Sequence, residues 1–140
     1  VKDSKAKLAF TVPELVEKVR STGLPLVLVT LKHQHEHHVI TFADLLHCDS
    51  DKLPSVKIRQ DDTAALLYSS GTTGVSKGVV ITHRNIISMI VVFIRFILEE
   101  SEINSWESVF LAVLPMFHVY GIATFTSGLI AAGATCVVMP

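Results

Sequence analysis

The stretch YSSGTTGVSKGV, residues 68–79, carries the side chains with the clearest chemical purpose in this chain of 140 residues. Glycines let backbone N–H groups approach a ligand closely, and short hydroxyl side chains add hydrogen-bond donors without bulk. The candidate residues are Ser69, Ser70, Gly71, Thr72, Thr73, Gly74 and Lys77. Together they predict a flexible loop that wraps phosphate groups and stabilises the charge of a departing pyrophosphate.

The loop does not follow the Walker A pattern G-x-x-x-x-G-K-[ST], which ends on a helix. Lys77 follows Ser76, precedes Gly78 and leads into a predicted strand, which argues against a P-loop kinase or GTPase. A plain hairpin tip is less favoured as well, because a tip needs two or three turn residues and this loop has roughly nine.

A second candidate site is His118 in LPMFHVYG, residues 114–121. It follows Pro115, Met116 and Phe117 at the end of a predicted strand, where open α/β sheets place their ligands. A single histidine among apolar residues is also often a core residue. From the residues alone both interpretations stay open.

The histidine-rich run KHQHEHHVI, residues 32–40, is a candidate for metal binding. His33, His35 and His37 would share one face of an extended chain and could hold zinc or nickel. No second ligand group flanks them, so a solvated hairpin or loop is favoured and no metal site is predicted. Cys48 and Cys136 stand far apart without a pairing motif, which indicates structural cysteines in a reducing compartment.

Helix signals fall at three places along the chain. Thr11 and Glu14 have capping-box spacing ahead of a predicted helix over 13–21. Thr41, with Asp44, opens a short helix FADLL. Thr82, three residues before an asparagine, opens a helix over 83–100 whose apolar residues occupy nearly every face, which predicts burial on most sides.

The strand pattern predicts an α/β fold with a mixed or parallel sheet and packed helices. Strands are predicted over 26–31, 64–68, 78–82, 109–114 and 135–139, with an apolar helix over 122–132. The last two strands and their helix form a β-α-β unit with a right-handed crossover. The predicted organisation is a leading α/β segment 1–46, a polar linker 47–62, and a phosphate-loop and substrate-wall segment 63–140.

Composition excludes several function classes. With 49% hydrophobic and 18% charged residues the chain should pack a core, and its net charge of −1 gives no reason to expect a nucleic-acid partner. The uncharged stretch 119–140 is interrupted by glycines and ends in β-branched residues, which indicates a buried helix and strand rather than a membrane span. The chain lacks a secretory signal and an initiator methionine, so we expect it to begin within a longer protein.

The stretch YSSGTTGVSKGVVITHRN resembles the phosphate-binding loop of the adenylate-forming (AMP-binding) superfamily, which includes acyl-CoA synthetases, luciferases and peptide-synthetase adenylation domains. LPMFHVYG resembles the next core motif of that superfamily. KLAFTVPELVEKVR and QDDTAALLYSSGTTG also resemble the plant 4-coumarate:CoA ligase and 4-coumarate:CoA ligase-like group. The resemblance covers essentially the whole chain, more loosely between residues 32 and 56, and implies part of the large N-terminal domain of such an enzyme.

The resemblance implies an acid-thiol ligase that uses ATP, Mg²⁺ and CoA to convert a carboxylic acid into an acyl-adenylate and then a thioester. It implies that the loop residues named above contact the ATP phosphates, that His118 sits at the acid's carboxylate and serves catalysis, and that Tyr120 lines the pocket for the acid's tail. Val75-Ser76 replaces the leucine-proline pair usual in 4-coumarate ligases, and Gly121 also departs from them. The acid is therefore open between a hydroxycinnamate of phenylpropanoid metabolism, a fatty acid and a jasmonate precursor.

The family's adenine pocket, magnesium-binding acid, ribose-binding aspartate, hinge, C-terminal domain and catalytic lysine would all lie downstream, so most of the Mg²⁺ and CoA sites fall outside these residues. We therefore expect the 140-residue piece to be inactive alone. The expected location is intracellular, either cytoplasmic or peroxisomal. The alternatives are a non-catalytic truncated gene product, a luciferase-like or peptide-synthetase adenylating enzyme and, last, a histidine-rich metal-binding protein.

Overall fold

A computed structural model of the chain describes residues 3–30, 40–47, 54–69, 74, 76–96 and 107–139. The histidine-rich run, including His33, His35 and His37, lies outside the described residues, as does Cys48. The chain divides into two compact units, Val1–Val56 and Lys57–Pro140. The predicted division into leading segment, linker and phosphate-loop segment stays a prediction.

The first unit is a small parallel sheet flanked by two short helices. Its strands are β1 (Ala9–Thr11), β2 (Leu26–Leu28) and β3 (Ile40–Thr41), in the order β1-β2-β3. Its helices are α1 (Val16–Arg20), preceded by a 3₁₀ turn Pro13–Leu15, and α2 (Phe42–Leu46). Val27 and Leu28 of the central strand are buried.

The capping prediction for Thr11 is wrong, whereas the one for Thr41 is confirmed. Val12 is the N-cap of the 3₁₀ turn and makes no side-chain cap bond. It precedes Pro13 and has an extended backbone, which places the cap one residue after Thr11. Thr41 Oγ1 accepts from the Asp44 N–H at 3.2 Å, and Asp44 Oδ2 accepts from the Thr41 N–H at 2.8 Å. The two hydrogen bonds between Thr41 and Asp44 form a complete capping box.

The second unit contains a hairpin, a long helix and a β-α-β arrangement. The hairpin joins β4 (Thr63–Ser69) to antiparallel β5 (Lys77–Thr82), and α3 (His83–Arg95) follows directly. Then β6 (Val109–Ala112) pairs in parallel with β7 (Thr135–Val138). Between them runs a π-helix, Gly121–Gly128, that continues into α4 (Leu129–Ala131). The predicted β-α-β order and the strand-to-strand loop are confirmed.

The start of α3 is held by its own chain. Thr82 Oγ1 accepts from the Asn85 N–H at 3.2 Å, and Asn85 Oδ1 accepts from the Thr82 N–H at 3.0 Å, which confirms the predicted cap. The N–H groups of His83 and Arg84 donate to carbonyls of the preceding turn, residues 59–62. Since its first N–H groups already have partners, this helix end offers no anion site.

The turn is also tied to α3 by an exposed ion pair. Arg84 donates from Nε to Asp61 Oδ1 at 2.8 Å and from Nη2 to Asp61 Oδ2 at 3.2 Å. This bidentate hydrogen bond and the guanidinium charge lower the pKa of the Asp61 carboxyl. The pair therefore fixes the chain just before β4 to the chain just after β5.

The core of this unit lies between β6, β7 and the π-helix. Ala112, Phe125 and Leu129 are buried, and Phe93 of α3 packs against them. Gly128 makes the contact with α3 possible, because a Cβ there would lie 2.6 Å from Phe93 Cδ1. The small residue therefore sets how closely the two helices approach.

The predicted burial of α3 on most sides is wrong within the described part of this unit. None of its residues is buried, and Val91 and Val92 are 59% and 67% exposed. One face of α3 packs on the π-helix, and no other described element of the unit covers the opposite face.

Among the described residues, no helix is both long enough and apolar enough to cross a membrane. The same residues contain no group of three or more histidine, cysteine, aspartate or glutamate side chains that could hold a metal ion. Cys136 is a free, partly buried thiol on β7.

Candidate functional site

The β4–β5 hairpin brings the two ends of the predicted phosphate loop together. Ser69, the last residue of β4, is paired directly with Lys77, the first residue of β5. Directly opposed residues in an antiparallel pair have Cβ atoms about 4.5–5.5 Å apart and project from the same face. The hydroxyl and the ammonium group thus start from neighbouring positions at the base of the loop.

Strand alternation decides which way these two side chains face. Leu67 shares a face with Ser69, and Val79 and Ile81 share a face with Lys77, because strand side chains repeat with period two. Leu67, Ser69, Val79 and Ile81 all line one cleft beside the hairpin. Lys77 therefore projects from the face of the hairpin on which this cleft lies.

The cleft has a volume of about 240 Å³. Its lining residues are Leu67, Tyr68, Ser69, Val79, Ile81, Phe117, His118 and Val119. The structure thus brings the end of β4 together with the segment that follows β6. Ser69 and His118, two residues predicted from separate motifs, line the same cleft.

The segment carrying His118 is a tight turn that leads into the π-helix. The His118 N–H donates to the Pro115 carbonyl at 3.1 Å, and the Ile122 N–H donates to the His118 carbonyl at 3.0 Å. His118 Nδ1 accepts from the Tyr120 N–H at 3.3 Å. Backbone and ring are therefore both tied to the local chain, which fixes the imidazole at the start of the helix.

Gly121 allows this turn to fold back onto the helix. A Cβ on Gly121 would lie 2.2 Å from the Pro115 carbonyl oxygen and 2.7 Å from Met116 Cα. The helix therefore starts in close backbone contact with the chain that presents His118.

Tyr120 does not line the cleft. Its ring contacts Phe125 edge to face, with centroids 5.9 Å apart and an interplanar angle of 70°, while half of the residue remains exposed. The ring thus packs against the π-helix. The predicted role of Tyr120 at the acid's tail stays a prediction.

Four of the predicted loop residues, Ser70, Gly71, Thr72 and Thr73, lie outside the described residues, and their roles stay predictions. Gly74 is described and has φ of +82°, and a Cβ at this position would meet no other atom within 4 Å. That backbone conformation favours glycine. Glycine is therefore favoured here by the backbone conformation and not by close packing.

Two aromatic residues of the cleft were missed by the sequence reasoning. Tyr68 precedes the loop, and a Cβ on the facing Gly78 would lie 3.4 Å from its Cζ, so the ring lies against the glycine. Phe117 is 81% exposed. An aromatic residue directly before each candidate, Ser69 and His118, was the available signal.

A second cavity, of about 160 Å³, adjoins this cleft. It shares Leu67, Ile81 and Val119 with the first, and its other lining residues come from β4, α3 and the π-helix. Among the described residues that line this cavity, Asn85 is the only polar one, and all the others are apolar. It can therefore accept apolar groups.

The family model for AMP-binding enzymes matches residues 1–140 of this sequence. The chain belongs to the AMP-binding enzyme family. This confirms the resemblance seen in the loop and in LPMFHVYG.

Individual relatives within the AMP-binding family agree with this assignment. The chain is 40% identical over 142 residues to 4-coumarate--CoA ligase-like 6 of Arabidopsis thaliana, covering 99% of this chain and 25% of that protein. It is 39% identical over 144 residues to Peroxisomal OPC-8:0-CoA ligase 1 of the same plant, with 99% and 26% covered. The chain thus spans about a quarter of the length of these relatives.

Solved structures share the fold of this AMP-binding chain. The anthranilate CoA ligase AuaEII in complex with anthranoyl-AMP superposes with a TM-score of 0.76 at 22% identity, over 99% of this chain and 27% of that one. ATP-bound MatB from Rhodopseudomonas palustris gives a TM-score of 0.71 at 22% identity, over 99% and 26%. The predicted α/β fold, with parallel strands and packed helices, is confirmed.

Proposed function

We propose that the protein carrying this sequence is an ATP-dependent carboxylic acid:CoA ligase. A carboxylate oxygen of the acid attacks the α-phosphorus of ATP, the bond to the bridging oxygen breaks, and pyrophosphate leaves. The thiol sulfur of CoA then attacks the carbonyl carbon of the acyl-adenylate, AMP leaves with the bonding electron pair, and the thiol proton is released. Family membership and the ligase relatives support this reaction.

The observation that carries the proposal is the shared cleft of Ser69 and His118 beside the base of the loop. Adenylation joins two anions, so it requires donors that offset negative charge and hold the carboxylate in line with the α-phosphorus. Hydroxyl, ammonium and imidazole groups meet that requirement. Ser69 and His118 line this cleft, and Lys77 is paired with Ser69 across the hairpin.

In this proposal Ser69 and Lys77 hold the phosphates of ATP together with the loop between them. Lys77 supplies a compact positive charge and Ser69 a short hydroxyl donor, paired across the hairpin. Charge on the pyrophosphate grows as the bond to the α-phosphorus breaks, so an ammonium group there favours the transition state over the bound substrate.

His118 would meet the carboxylate of the acid, and the apolar cavity beyond Val119 would take part of its tail. Val119 lines both the cleft with His118 and the adjoining apolar cavity. An acid with a flat aromatic or an aliphatic tail suits such a lining. We propose a hydroxycinnamate-like or fatty acid, and Tyr120 as a further wall of the tail pocket.

CoA and Mg²⁺ complete the proposed chemistry. Bound Mg²⁺ would neutralise phosphate charge, but the described residues contain no cluster that fits a metal ion, so none of the steps above depends on a metal ligand in them. One relative is named as peroxisomal. A peroxisomal or cytoplasmic location is accordingly part of the proposal.

Pyrophosphate exchange tests the proposal directly. The full-length protein is incubated with ATP, labelled pyrophosphate and a panel of hydroxycinnamic and fatty acids, and thioester formation is followed after CoA is added. We expect acid-dependent exchange that falls in Lys77→Ala and persists in Lys18→Ala, which removes an exposed lysine of α1.

Exchange without thioester would favour another adenylating branch over a CoA ligase. Absence of exchange with every acid of the panel would contradict the proposal.

A further inference from the structure

The imidazole of His118 has one nitrogen committed to the protein and one directed to no protein partner among the described residues. Nδ1 accepts a hydrogen bond from the backbone N–H of Tyr120 at 3.3 Å. A backbone N–H can only donate, so Nδ1 must carry a lone pair. In the neutral ring the proton then resides on Nε2.

The hydrogen bond to Nδ1 has a structural cause. Tyr120 is the N-cap residue of the π-helix, at the end where backbone N–H groups lack acceptors from a preceding turn. The ring of His118 supplies that acceptor from the N-terminal side, as a capping side chain does. The close backbone contact at Gly121 holds the turn against the helix and keeps Nδ1 within reach.

The other nitrogen remains available to a ligand. Within the described part of the chain, no hydrogen bond to Nε2 is present, and His118 is exposed and lines the cleft that contains Ser69. A ligand oxygen that reaches this nitrogen would therefore meet an N–H group and not a lone pair.

We propose that His118 acts only as an Nε2–H hydrogen-bond donor, fixed in this tautomer by the backbone of Tyr120, and never as a proton acceptor. This inference rests on the proposed ligase function. Its ligand is an oxygen of the substrate carboxylate, which stays in place when that group becomes the carbonyl of the acyl-adenylate.

The chemistry of both steps is compatible with a pure donor. A carboxylic acid is already ionised near neutral pH, so adenylation needs no base. In the thioester step the donor stabilises negative charge on the carbonyl oxygen as sulfur attacks. The thiol proton must pass to another group or to water, because both nitrogens of the neutral ring are occupied.

Two substitutions distinguish the roles of the two ring nitrogens. In His118→Asn the amide oxygen takes the place of Nδ1, which keeps the bond to the Tyr120 N–H but removes the distal donor. In His118→Gln the amide nitrogen reaches the place of Nε2. This keeps the distal donor but removes the acceptor for the Tyr120 N–H. We expect acid-dependent pyrophosphate exchange to fall about 100-fold in His118→Asn, the loss typical of one such donor, with an unchanged unfolding midpoint.

The opposite pattern is expected for His118→Gln: exchange within about 10-fold of wild type, because an amide N–H is a weaker but similarly placed donor, and a lower unfolding midpoint. His47→Asn, at the end of α2, controls for loss of a histidine elsewhere. Asparagine and glutamine variants with equal activity, or an asparagine variant more active than the glutamine one, would overturn the proposal.

Nitrogen-15 NMR of the ligand-free full-length protein tests the tautomer independently of activity. The expected result is an unprotonated Nδ1 and a protonated Nε2 for His118, unchanged in Tyr120→Phe, because only the backbone of Tyr120 takes part. A protonated Nδ1 in the neutral ring would overturn the proposal. If wild type shows no exchange with any acid, the ligase proposal fails, and NMR alone then decides whether the tautomer is as inferred.

Discussion

Ser69 and Lys77 are paired partners across the two strands that enclose the predicted phosphate loop. The loop therefore starts and ends at one point of the hairpin, and its two flanking polar side chains leave the same face of the strands. Ser69 and Lys77 thus form a common base for the predicted loop.

Replacement of Lys77 by alanine is expected to lower the rate of pyrophosphate exchange by about 10²–10³, because a charge that stabilises the leaving group is lost. Lys77→Arg should recover part of the rate, since the charge remains but its geometry differs. The rate constants and KM for ATP are measured for both variants beside Lys18→Ala. An unchanged rate in Lys77→Ala would contradict a role for this lysine.

Ser69→Ala is expected to lower the rate less than Lys77→Ala, by about 10- to 100-fold, the value of one hydrogen bond to a charged acceptor. Because both groups act on the same phosphates, the double variant should lose less than the product of the two single losses. A double-mutant cycle of exchange rates gives this coupling. Strict additivity would show that the two side chains act on separate ligands.

Gly74 and Gly23 form a matched pair for testing the loop. Both have positive φ, +82° and +72°, and neither would place a Cβ within 4 Å of another atom. Substitution by alanine should cost each about 1–2 kcal/mol of backbone strain. We expect Gly74→Ala to raise KM for ATP and Gly23→Ala to leave it unchanged, so an equal KM in both variants would show that the loop does not need this conformation.

Gly128→Ala is expected to destabilise the protein by about 1–3 kcal/mol, the usual cost of overpacking. The added Cβ would lie 2.6 Å from Phe93 Cδ1 and 3.0 Å from the Ala123 carbonyl oxygen. Phe93→Leu in the same chain should recover part of this loss by giving way to the methyl group. Urea denaturation of both variants measures the effect, and a double variant no more stable than Gly128→Ala would refute the contact.

Asp61→Asn is expected to destabilise the protein slightly at neutral pH and to have no effect in strong acid. Hydrogen bonding to Arg84, and then its charge, lower the pKa of the Asp61 carboxyl from its ordinary value of 3.8. A lowered carboxyl pKa contributes stability that is present above the ordinary value and lost as pH falls through the lowered one. The effect is small because the pair is exposed and screened by solvent.

Unfolding midpoints of wild type and Asp61→Asn, measured at pH 7 and in strong acid, test this pattern. A difference that persists unchanged in acid would show that the ion pair is not its cause.

Local signals predicted the parts of the fold that depend on neighbouring residues. The spacing of Thr41 to Asp44 and of Thr82 to Asn85 predicts helix caps that the structure confirms, because a capping box involves only four consecutive positions. Thr11 has the same spacing to Glu14 but remains in β1. There Val12 precedes Pro13 and has an extended backbone, so Val12 and not Thr11 is the N-cap.

The sequence by itself predicted the candidate chemistry of this protein. The hydroxyls, glycines and lysine of the loop predict phosphate contacts, because donor type and charge belong to the side chains, and the family resemblance implies a carboxylate contact for the histidine after β6. The motifs also determined the family, which the comparison with AMP-binding enzymes confirmed.

Only the tertiary structure decided how these groups meet. The register of β4 and β5 pairs Ser69 with Lys77, and packing of the hairpin beside the turn after β6 brings His118 to the same cleft. In the structure the ring of Tyr120 contacts Phe125, and the Nδ1 of His118 accepts a hydrogen bond from a backbone N–H. Such contacts join residues far apart in the chain or depend on exact backbone direction, and no local spacing specifies them.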